Sequence, residues 1–195
     1  MKHHLTFKQY RSMDLFFFAV MLCFSEALIV NAALHWFPDQ LYSVSVTAAV
    51  TAIVFIRWGP WAAIHAVLGA LVYCTACGGS WKQYLIYGLG NLLSLLILPL
   101  IRMFGKERIR KDPLLTLFYA LCTLLLMQLG RAFTALLLGG EPKTCLSFFT
   151  TDALSGLFTM VIVWIAARLD GILEDQKTYL LRINREREEE KGGYR

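Results

Sequence analysis

Residues 57–96 read RWGPWAAIHAVLGALVYCTACGGSWKQYLIYGLGNLLSLL. A cation, a Gly-Pro breaker and two tryptophans open the stretch. An apolar run follows, turns at Cys77-Gly78-Gly79-Ser80, and returns through a second run that carries Tyr84, Tyr87 and Asn91. Two apolar runs of this length, edged by aromatic residues and joined by a short turn, predict a membrane hairpin. The rest of the chain repeats this unit or decorates it.

Composition agrees. Of the 195 residues, 57% are hydrophobic and the mean hydropathy is +0.53. A soluble domain of this size rarely carries so much apolar side chain. The charges cluster between apolar runs, which predicts one integral membrane domain and no separate soluble one. A net charge of +5 would point to nucleic acid only if the cations formed a face. They sit beside span ends instead, so no nucleic-acid partner is expected. The apolar run after MKHHLTFKQYRSMD is too long for a signal-peptide core and lacks a small-residue cleavage site, so it reads as a retained first span. Five cysteines are too few and too dispersed for a disulfide framework, and Cys23 and Cys122 read as packing residues.

The predicted fold is an all-α bundle of six transmembrane helices, at 14–36, 41–56, 58–76, 81–101, 113–138 and 146–169. Residues 1–13 form a cytoplasmic N-terminal segment. Residues 170–195 form a charged cytoplasmic tail that continues the sixth helix. With Arg131 inside the fifth span, sixteen of the 19 lysines and arginines fall on one side, against Lys82 and Lys143 on the other. The excess of cations on the cytoplasmic side places both termini there, in a multi-pass protein of a bacterial plasma membrane.

Arg131 is the sharpest single signal, because a cation inside a span faces either a cavity or a partner. Gln128 lies one turn before it. Asp152 and Glu26 are candidate ion-pair partners, and contact with substrate is compatible with such a pair. Asp152, Ser155 and Thr159 put a polar face on the sixth helix, with Phe148 extending it outward. Trp81, Tyr84, Tyr87, Asn91 and Ser94 do the same on the fourth. Three consecutive helices with polar faces near the outer side predict a small outward-opening pocket. On the first helix, Glu26, Asn31 and His35 are polar, and Ala19, Cys23 and Ala27 form a small-residue stripe suited to close helix approach. His65 reads as a hydrogen-bonded core histidine. Cys74-Thr75-Ala76-Cys77 has the spacing of a redox pair or half a metal site, but no second ligand pair accompanies it, so neither a metal nor a cofactor is expected. No H-E-x-x-H, G-x-S-x-G or Walker A motif is present.

Over residues 14–169, and most closely in RWGPWAAIHAVLGALV and IYGLGNLLSLL, the chain resembles the S component of an energy-coupling factor (ECF) type vitamin importer. The resemblance implies six helices, cytoplasmic termini and an outward substrate pocket built from helices four to six. It also implies docking of a transmembrane T component on an A-x-x-x-A motif of the first helix. Ala19, Cys23 and Ala27 hold that spacing, with cysteine in place of the second alanine. The T component would couple to two ATPase subunits, so the chain itself is expected not to be an enzyme. Its partners would then be that module, membrane lipid and a vitamin-like ligand. Arg131 and Lys82 suit an anionic group on the ligand; Trp81, Tyr84 and Tyr87 suit a flat ring. Two further classes stay open: a structural bundle of the MreD cell-shape type, and a membrane thiol oxidoreductase using Cys74 and Cys77.

Overall fold

The computed structural model describes residues 6–39 and 42–192. Lys2, Leu41, Gly193 and Arg195, which the sequence places in terminal segments or at a span end, lie outside the described residues. The described chain is helical, with no strand.

Helix α1 (Phe7–Trp36) starts in a capping box, Thr6 with Gln9. At 1.5 Å per residue it is about 45 Å long, more than the hydrocarbon core requires. One narrow stripe, Phe18, Leu22, Glu26 and Val30, is buried. Phe16, Phe17, Phe24 and Leu28 are exposed on its other faces, an apolar surface that lipid or a partner protein would cover.

Helix α2 (Thr47–Trp58) is the hub. All twelve of its residues are buried, and it packs against α1, α3 (Ala62–Ala76), α7 (Pro113–Leu137) and α9 (Ala153–Arg168). By length and hydropathy Thr47–Ala76 counts as one 30-residue apolar stretch. It does not run straight. Gly59 adopts φ +60° before Pro60, a conformation that costs glycine little and other residues a steric clash. The chain turns back there, and Thr47 meets Gly69 so closely that an added Cβ would sit 2.3 Å from the Thr47 Oγ1. Helices α2 and α3 are therefore an antiparallel pair. At about 18 and 22 Å each is shorter than the roughly 30 Å core.

Helix α4 (Trp81–Asn91) passes through a 3-10 segment, Leu92–Leu96, into α5 (Ile97–Phe104). Pro99 lacks the N–H that the Leu95 carbonyl would need, and the Ser94 hydroxyl donates back to the Asn91 carbonyl at 2.6 Å, so the α-helical ladder is interrupted here. A short α6 (Lys106–Lys111) leads to α7. Asp112 accepts from the N–H groups of Leu114 and Leu115, and Pro113 occupies the first turn. The predicted sixth span is bent by 52°: α8 (Pro142–Thr151) meets α9 at Asp152. Among the described residues, four stretches are long and apolar enough to cross a bilayer, or five with the bent pair counted as one.

Two corrections concern the ends of elements. Residues 42–46, assigned to the second span, are not helical. The tail does not continue α9. The chain leaves the helix at Leu169, turns through Gly171 at φ +71°, and begins α10 (Gln176–Gly192) afresh. Arg57 explains that turn. Its guanidinium pairs with Asp14 at 2.6 Å and donates to the carbonyls of Gly171 and Ile172. The start of α1 and the end of α9 thus meet at one end of the bundle. Lys106–Asp175 and Arg110–Glu174 ion pairs fasten the start of α10 to α6. Burial alone would raise the Asp175 carboxyl, but the Lys106 ammonium and the Thr178 N–H hold it below the usual carboxylate range.

Candidate functional site

The site begins with two glycines. Helices α4 and α7 approach closest at Gly90 and Gly130, where a Cβ on Gly130 would lie 1.9 Å from the Gly90 carbonyl oxygen. This contact sets Asn91 beside Arg131. The Arg131 Nε donates to Asn91 Oδ1 at 2.8 Å, and its Nη1 to Asp152 Oδ2 at 2.6 Å. Its guanidinium lies 4.6 Å from the centre of the Tyr87 ring. Asn91 is held in turn by the Ala66 carbonyl, to which its amide donates at 2.9 Å.

Asp152 is reachable because α8 breaks from α9 there. Its second oxygen accepts from the Ser43 hydroxyl. Ser43 belongs to the extended segment before α2, which Ser155 anchors on both sides, accepting from the Ser45 N–H and donating to the Ser43 carbonyl, each at 3.0 Å. Both members of the ion pair are almost fully buried, at 4% exposure. A pair this well bonded offsets its own desolvation, whereas one member alone would not.

Beyond the pair, at the end of the bundle away from Asp14 and Arg57, opens a cavity of about 280 Å³. Val30 and Phe37 of the first helix and its turn, Ser43, Tyr73, Cys77 and Tyr87 are among its walls. Tyr73 and Tyr87 stack at 5.2 Å with 24° between planes, and Phe148 meets Tyr87 edge-on at 5.8 Å. Tyr87 and Ser43 belong to both places: each lines the cavity and each touches the ion pair. The space directly around Arg131 and Asp152 is too narrow for water.

No family model, curated protein or solved structure matches the chain. The arrangement is therefore read on its chemistry.

Arg131, Asp152, Asn91 and Tyr87 come together as one cluster, and of the residues singled out in the sequence Tyr87 and Cys77 line the cavity. Gln128 is buried on α7 one turn before Arg131. Tyr84 reaches Thr75, oxygen to oxygen at 2.9 Å. Trp81 is exposed with Lys82 over its ring. Asn31 and His35 sit on the exposed side of α1, Asn31 donating to the Ala27 carbonyl at 2.7 Å. Ala19, Cys23 and Ala27 are half-buried at the edge of the α1 stripe. Glu26 is wholly buried and accepts from the Val46 N–H at 2.9 Å; the partner of Arg131 is Asp152. His65 bonds the Leu15 carbonyl at 3.0 Å within the core. Cys74 is buried, Cys77 exposed, and both are free thiols.

Sequence reading missed Ser43, Ser45 and Tyr73. The alternation Ser43-Val44-Ser45-Val46 has the two-residue period of an extended strand, one serine side chain after another on the same face. That signal was absorbed into an apolar helix. Tyr73 gave none, since an aromatic near a span end is ordinary at a membrane interface.

A larger groove of about 510 Å³ lies at the opposite end, between α6 and α10. Its walls include Lys106, Arg110, Glu174 and Asp175, which are already paired with one another, so it presents little uncompensated charge to a ligand.

Proposed function

We propose that the chain is the substrate-capture subunit of an ECF-type importer in a bacterial plasma membrane, taking a small molecule from outside and passing it to a T component driven by two ATPase subunits. The observation that carries the reading is the aromatic cavity at one end of a bundle whose opposite end gathers the start of α1, the turn after α9 and the cationic α6. A cation-rich end faces the cytoplasm, so the cavity faces out. The bundle is then a six-helix one with both termini inside, in which α2, the hub, and α3 form a short hairpin. The chain contributes binding, and ATP hydrolysis belongs to its partners. The broad apolar face of α1, with Ala19, Cys23 and Ala27 at its edge, is the surface proposed for the T component.

Orientation is tested by labelling from outside with a membrane-impermeant maleimide. Lys143→Cys is expected to react in intact cells and Lys111→Cys only after permeabilisation; the reverse pattern overturns the topology.

Coupling is tested by tagging the chain in its native host and identifying what copurifies. A T component and ATPases are expected with wild type. Cys23→Trp, which thickens the small-residue stripe, is expected to lose most of that complex while the tagged chain keeps its melting temperature. An equal yield of complex removes this face from the proposal. The closed Arg131–Asp152 pair favours a second reading, a structural bundle of the MreD type, because it leaves the arginine with a purely internal role. Capture of cell-shape proteins in place of ATPases would select it.

A further inference from the structure

We infer that the outer cavity takes a small, planar, uncharged ligand, with no anionic group bound by Arg131. The inference rests on the capture reading for its purpose, but on the cavity alone for its chemistry.

Among the described residues, no charged side chain lines the cavity. The two nearest opposite charges, Arg131 and Asp152, are bonded to each other, and Tyr87 covers the guanidinium face that a ligand would approach. An anion entering here would give up its hydration and find no cation to replace it, and a cation would fare no better, because the Asp152 carboxylate already accepts from Arg131 and Ser43. Neutral chemistry is well provided for. Tyr73 and Tyr87, already stacked on each other, line the cavity as an aromatic pair whose edges a flat ligand can meet. The tyrosine hydroxyls and Ser43 supply a few directional polar groups among the apolar side chains of Val30, Leu34 and Phe37. The volume of about 280 Å³ lies just below the range of about 300–1,000 Å³ usual for such sites, so a one- or two-ring molecule is the right scale.

Cys77 allows a direct test, because it is exposed and lines the cavity. Methanethiosulfonate reagents convert a thiol to a mixed disulfide and release methanesulfinate. Four would be compared on the purified full-length chain in detergent: benzyl, methyl, anionic sulfonatoethyl and cationic trimethylammonioethyl. Modification of Cys77 is quantified by peptide mass spectrometry and divided, for each reagent, by that at the thiol of the Lys143→Cys variant, which cancels intrinsic reactivity. The expected normalised rate for the benzyl reagent exceeds that of either charged reagent by at least about tenfold, the ratio that 1.4 kcal/mol of discrimination produces. Tyr73→Leu is expected to remove most of the benzyl-over-methyl preference. Its melting temperature is followed in parallel, and a variant that fails to fold is replaced by Tyr73→Phe, in which the ring and the preference are both expected to remain. A charged reagent that matches the benzyl reagent overturns the neutral-ligand inference. A benzyl preference unchanged in folded Tyr73→Leu overturns the role of the aromatic pair. Exclusion of charged reagents without capture of a T component would leave the cavity chemistry standing and refute the importer reading; capture without exclusion would do the opposite.

Discussion

Arg131→Ala is expected to unfold at far lower denaturant than wild type, losing about 3–5 kcal/mol, because it strands the Asp152 carboxylate inside the bundle. The loss has three parts: the charge pair itself, the bond to Asn91 and the Tyr87 face. Asp152→Asn should fall in the same range, since it leaves the guanidinium uncompensated. Arg131→Lys keeps the charge but has one ammonium where the planar fork served two partners, so it should lie between. The double variant Arg131→Met with Asp152→Leu is expected to recover much of the loss, because a buried pair can be exchanged for apolar packing at little net cost. Unfolding followed by circular dichroism in mixed micelles checks all four. Single variants as stable as wild type would mean that the pair contributes nothing, and Arg131 would have to be reconsidered as a ligand group.

Gly130→Ala is expected to be nearly as damaging, although it adds a single methyl group. That methyl would sit 1.9 Å from the Gly90 carbonyl oxygen. Overpacking commonly costs about 1–3 kcal/mol, and relief normally comes from a side chain that rotates away. Here the obstacle is backbone, so α4 must move off α7, and Asn91 leaves Arg131 as it goes. The expected cost is at or above the top of that range. Gly88→Ala, two residues before the crossing, meets nothing within 4 Å of its new Cβ. It should be neutral or slightly stabilising, as replacing a mid-helix glycine is worth roughly 0.5–1 kcal/mol. Equal behaviour of the two variants in the same unfolding assay would show that the close approach at Gly90 and Gly130 does not hold the bundle.

Some of this was legible from the residues. The fifth span, placed at 113–138, matches α7 (Pro113–Leu137) to within one residue, because caps and breakers act locally. Arg131 announced a partner, and Asp152 was one of two candidates. The choice between Asp152 and Glu26 needed the third dimension, as it depends on a bend at residue 152 and on a serine in a distant segment. The central place of α2 was hidden for a different reason. A helix apolar on every side looks the same whether lipid or protein surrounds it, so 41–56 read as one more membrane span. Arg57 read as a cation at a membrane edge, useful for orientation. It is in fact buried, at 5% exposure, with Asp14 as its counter-ion. The tail, read as a continuation of the sixth helix, misled because Leu173 within it turns back into the core.

The grip of Arg57 has a consequence for biosynthesis. Its guanidinium holds Asp14, 43 residues earlier, and the Gly171 carbonyl, 114 residues later. Helix α1 and the turn that follows α9 are therefore bound by the same side chain. While the chain is being made, the Nη1 that meets the Gly171 and Ile172 carbonyls has no such partner until those residues have emerged. The hub around Arg57 is therefore completed only after α9 has been made, not progressively from α1.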